Sequence, residues 1–131
     1  MPIEEDYLDV LQNLEFAIIS VYREEPALLD YDVKDAVDAL IRYYTAEQNG
    51  HTAPVLRLHD KGQKVFESVK PMCEVRLGRE PLLKNKKPIP IEAITVAELI
   101  PCLKRIQLSI SRWTKRYGRQ GYLNFVSQHI R

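Results

Sequence analysis

The chain has 131 residues, 45% of them hydrophobic and 28% charged, the make-up of one globular unit (1–131, a single helical domain) able to bury a core without disulfides or metal. Five glycines are too few for a turn-rich all-β fold, no apolar run approaches the roughly 20 residues that cross a bilayer, and the acidic start Met1-Pro2-Ile3-Glu4-Glu5-Asp6 is opposite in charge to a secretory leader, so a cytoplasmic protein is expected. The net charge of +1 conceals a polarity: residues 1–65 carry 6 basic and 13 acidic side chains, a net −7, and residues 66–131 carry 13 and 5, a net +8.

In chain order, Tyr7, Leu11, Leu14, Ile18 and Val21 recur at spacings of four and three, which sets them on one stripe of a helix limited by Pro26. Asp30 and Asp32 are candidate caps for a second helix, whose apolar positions are Val33, Ala36, Val37, Leu40, Ile41 and Tyr44 and whose end falls at Gln48-Asn49-Gly50. The segment His51 to Leu58 is a connection containing Pro54, after which Asp60 caps a third helix presenting Val65, Phe66, Val69, Met72, Cys73 and Val75 as far as Gly78. Pro71 lies inside this helix, where a missing donor and a ring clash predict a kink or a break.

Glu80 to Pro90, framed by Pro81, Pro88 and Pro90, reads as an extended basic connector. Thr95 and Glu98 have capping-box spacing, and the helix they open shows Leu99, Leu103, Ile106, Ile110, Trp113 and Tyr117, with Pro101 absorbed in its first turns. Gly118 and Gly121 interrupt the pattern, so Tyr122, Leu123, Phe125, Val126 and Ile130 imply a short last helix folding back on the others. Segments with one apolar stripe each must bury it together, so the expected fold is all-α, a bundle of four to five helices with mostly antiparallel neighbours. Cys73 and Cys102 sit within apolar helical patterns and read as reduced core thiols.

The one-sided feature is in residues 99–119. On a helical wheel Lys104, Arg105, Arg112, Lys115, Arg116 and Arg119 fall within an arc of about 120°, with Leu108 in its middle and the apolar stripe on the other side. The plain reading is a solvated face, aided by cations near a helix C-terminus and paired with acids of the first two helices. The sharper reading is a contact surface for an anionic partner, either an acidic protein or a nucleic acid whose bases could stack on Trp113, Tyr117 and Tyr122, although the helical spacing of Trp113 and Tyr117 favours the core. A membrane-surface role would need an apolar stripe that the bundle already uses.

Common catalytic signatures are missing: there is no Gly-rich phosphate loop, no His-Glu-x-x-His, no Cys-x-x-Cys and no Gly-x-Ser-x-Gly. His51, His59 and His129 are scattered, and a metal shared by the first two would need a third ligand such as Asp60. Asp32, Asp35 and Asp38 could hold a divalent cation, but their place in the first turns of a helix is explained by its dipole. No metal and no cofactor is therefore expected. Leu56 to Gly62 followed by an amphipathic helix resembles the strand-to-helix passage of winged-helix regulators, which implies a nucleic-acid-binding alternative. The run Trp113-Thr114-Lys115-Arg116, continuing from Gly118 to Gln128, is similar to the tail of a small helical family, mostly cyanobacterial, without an assigned function; this implies no activity.

The leading expectation is thus a non-enzymatic helical binding or regulatory protein, with homodimerisation open to it, engaging an acidic protein or nucleic acid through Lys104, Arg105, Arg112, Lys115, Arg116 and Arg119. A ligand-binding or enzymatic bundle with a pocket between helices is the alternative from another class.

Overall fold

The computed structural model describes residues 8–52, 57–79 and 93–129, with the side chains of 125–127 and 129 left aside. Four helices account for most of them: α1 (Leu8–Glu24), α2 (Asp30–Gln48), α3 (Asp60–Arg76) and α4 (Val96–His129). No strand occurs among the described residues, and no helix there is long and apolar enough to cross a membrane. The acidic N-terminal cluster, Tyr7, Pro54, the connector Glu80 to Pro90 and Ile130 lie outside the described residues.

The core is the union of the stripes read from the sequence. Leu14, Ile18, Val33, Val37, Leu40, Tyr44, Val65, Val69, Leu99, Leu103, Ile106 and Ile110 are all fully enclosed. Each of the first two helices packs against both of the last two. Antiparallel pairing sets the frame: Glu25, just beyond α1, meets Lys64 near the start of α3 at 2.7 Å, and Asp30 at the start of α2 acts on Tyr122 near the end of α4. The α2 and α3 ends also meet, through Tyr44 donating to Glu74 at 2.9 Å and Arg79 clasping Glu47 at 2.6 Å, so these two run side by side in one direction. Helix α1 likewise runs alongside α4 in one direction, with Leu11 and Arg105 lining one groove and Tyr22 beside Arg119.

Helix ends differ in detail from the sequence reading. Neither Asp30 nor Asp32 is the N-cap of α2; Leu29 is, and Asp32 reaches back from the third position to accept the Leu29 N–H at 2.9 Å. Asp30 is instead the first helical residue and accepts the Tyr22 hydroxyl at 2.6 Å. Likewise His59, not Asp60, caps α3. The capping box of α4 forms as read, with the Thr95 N–H donating to Glu98 at 3.0 Å and the Glu98 N–H to the Thr95 hydroxyl at 3.2 Å.

Helix α3 continues through Pro71 without a break. The proline is exposed, as is Glu67, whose carbonyl loses its helical donor, so water can take the place of the missing N–H. The interruption falls in α4 at Gly118, whose φ of 76° and ψ of 176° are open to glycine and costly for any other residue. Beyond it the chain turns so that Tyr122 is fully enclosed, and Leu123 packs against the same core. Cys73 and Cys102 are free and buried, and loss of water pushes their thiols up to about 12 and about 11. They are thus protonated at neutral pH and belong to the packing.

Candidate functional site

The six cations of the wheel separate once placed in the fold. Lys104, Arg105, Arg112, Lys115 and Arg116 are exposed along α4. Ion pairs join Arg42 to Asp38, Lys64 to Glu25, and Arg79 to Glu47 and Glu74, and none of these four involves any of those five. Glu25 and Glu47 are thus met on the α3 side of the bundle and Asp38 within α2. Most of these side chains lie near the surface, where water and salt screen them, so the pairs do little for stability.

Arg119 departs from the set because the non-helical Gly118 precedes it and takes it out of the register the wheel assumes. Its guanidinium lies 4.5 Å from the centre of the Tyr22 ring and donates to the Pro26 carbonyl at 2.9 Å, tying the final segment to the α1–α2 turn. Burial, then the Asp30 carboxylate, raises the Tyr22 phenol well above its ordinary range, so it stays a hydroxyl donor to Asp30.

The aromatic residues also divide. Trp113 is half-buried against the core and its ring lies 4.8 Å from that of Tyr117. Tyr117, which helical spacing assigns to the core, is 52% exposed and lies beneath Arg116 at 5.2 Å. The cause is the interruption directly after it: the helix stops at Gly118, and Tyr122 fills the interior. A Cβ built on Gly121 would overlap the Tyr117 Cβ, so the two residues share a tight turn.

Between α1 and α4 lies a groove of about 170 Å³, lined by Leu11 and Glu15 from α1 and by Arg105, Leu108, Ser109, Arg112 and Trp113 from α4. Sequence reading missed the α1 contribution. Glu15 is 8% exposed and sits one residue off the core position Leu14, a charge where the helical pattern turns from buried to open. The signal available on α4 was the spacing Arg105, Leu108, Arg112, which repeats at three and four and leaves Leu108 43% exposed between two cations. A second groove of about 220 Å³, between α1 and the segment after Gly118, is lined by Ile19, Tyr22, Arg23, Gln120, Leu123 and Asn124.

Both grooves are smaller than the roughly 300–1,000 Å³ of pockets that hold metabolites, and neither brings two carboxylates together for acid–base work. Among the described residues no three of His, Cys, Asp and Glu stand together to hold a metal ion. His51 and His59 are exposed; Asp32 is taken up by its helix start and Asp38 by Arg42 at 2.9 Å. Arg57 to His59 are irregular, so the described part of the segment that resembles a winged-helix passage supplies no strand. No family model, no curated protein and no solved structure matches this chain.

Proposed function

We propose that this protein is a helical binding module that holds an acidic partner along the outer side of α4, without chemistry of its own. The observation that supports this is the exposure of Lys104, Arg105, Arg112, Lys115 and Arg116 together with the pairing of Glu25, Asp38 and Glu47 with cations elsewhere. Five cations on about three turns make a field that water alone need not satisfy, and arginine's fork suits a carboxylate in particular. A platform for bases is less well supplied, because Tyr122 is enclosed and Trp113 lies against both the core and Tyr117.

The test is fluorescence anisotropy at low ionic strength with three labelled probes: polyglutamate, a single-stranded 20-mer and its duplex. The native chain is expected to bind polyglutamate, with affinity falling as salt rises. Arg112→Glu combined with Arg116→Glu is expected to weaken that binding at least tenfold, while helical circular dichroism and the melting temperature stay within experimental error. Unchanged binding in the double variant would reject the reading. Preference for the oligonucleotides, with a steep dependence of log K on log salt, would replace the protein partner by a nucleic acid.

A further inference from the structure

The groove between α1 and α4 has dimensions and walls that ask for more than a charge. Its volume of about 170 Å³ equals five or six liquid waters at ~30 Å³ each, room for one side chain. Leu11, Leu108 and Trp113 give the groove an apolar part, beside Glu15 and Ser109, and the exposed Arg105 and Arg112 complete its lining. Seven residues separate the two arginines, about 10.5 Å along the helix axis. Glu15 lies buried in the α1 wall, so an anionic group is better met by the exposed Arg105 and Arg112 than inside the groove.

We propose that this groove receives one apolar side chain of an acidic helical segment in a partner protein, with the carboxylates on either side of that anchor engaging Arg105 and Arg112. The proposal rests on the acidic-partner reading of α4 and narrows it to a protein. A helix places residues at −3 and +4 from a central leucine on one face, seven apart, which matches the seven-residue spacing of Arg105 and Arg112 on α4. Arg105, Leu108 and Arg112 are themselves spaced at three and four, so the two helices would mirror one another in charge and share an apolar centre. Arginine and tryptophan, both present in this groove, are among the side chains in which binding energy concentrates.

The experiment uses the full chain, 15N-labelled, titrated to millimolar concentration with an 18-residue helical peptide bearing one leucine flanked by glutamates at −3 and +4. A second peptide has serine in place of the leucine. The leucine peptide is expected to shift the amides of residues 105–113 and 11–15 and to bind at least tenfold more tightly than the serine peptide. Ser109→Leu, which fills the groove without altering charge, is expected to erase that difference, and Arg105→Glu to weaken both peptides. Equal affinity for the two peptides in the native chain would overturn the groove proposal and leave the acidic-partner reading standing; no shift with either would overturn both. Tighter binding of a 12-nucleotide single strand than of the leucine peptide would name nucleic acid as the occupant, and shifts of the same amides on dilution of the free protein would name a second copy, each against the proposal.

Discussion

Replacing Tyr122 by alanine is expected to cost about 3–5 kcal/mol of folding free energy, the range for truncating a large enclosed aromatic side chain. Tyr122 is among the largest fully enclosed side chains of the protein and comes from the segment beyond the Gly118 interruption. The loss would consume a large part of the roughly 5–15 kcal/mol that stabilises an ordinary domain. Thermal unfolding should therefore shift down by well over 10 °C. Phenylalanine at the same position is expected to behave differently. The Tyr122 hydroxyl is buried without a hydrogen-bond partner among the described residues, near the carboxylates of Glu15 and Asp30, and its removal should leave stability unchanged or raise it by about 1 kcal/mol. A small loss in the alanine variant, under about 1 kcal/mol, would mean that the terminal segment is not anchored in the core.

The second large effect is expected at Gly118. Its angles lie in a region that costs a residue with a Cβ about 1–3 kcal/mol, although nothing lies within 4 Å of the place a Cβ would occupy. Gly118→Ala should thus destabilise through the backbone alone. Asparagine, which tolerates left-handed helical angles but not this extended ψ, should do no better. If both variants unfold at the native temperature, the chain passes this point in another conformation and the alignment of Tyr122 with the interior needs another explanation.

How much of this was legible depends on whether a feature is set by neighbours in sequence or by neighbours in space. The stripes of α1 to α4 were readable because helical period alone brings Leu14 and Ile18, or Leu103 and Ile106, to one side. The Thr95–Glu98 box was readable because both partners lie within one turn. Asp30 was misread as a cap because its partner, Tyr22, belongs to another helix. Tyr117 was misread because period predicts a face but not that Gly118 would end the helix and leave the interior to Tyr122.

The candidate site follows the same division. That α4 carries a cationic arc is a property of its own sequence, and Arg105, Leu108 and Arg112 keep the expected spacing. Arg119 fell outside it for a tertiary reason, the Tyr22 ring and the Pro26 carbonyl that hold it. The wall contributed by Leu11 and Glu15 depends on which helix packs beside α4, and the charge polarity of the chain does not specify that neighbour. Net charges of −7 and +8 in the two halves suggest mutual cancellation, but of the pairs that Glu25, Asp38 and Glu47 make, Glu47–Arg79 alone joins the two halves, and α4 takes no part in any of them.

The most direct test of the account is arginine footprinting of the free protein with phenylglyoxal, read residue by residue by mass spectrometry. Arg105, Arg112 and Arg116 should be modified rapidly, close to the rate of an arginine in an unfolded peptide, and Arg119 should lag at least tenfold behind because its guanidinium is held between Tyr22 and the Pro26 carbonyl. Protection of Arg105 and Arg112 to the level of Arg119 would show that the protein itself already covers the outer side of α4, and would contradict the account.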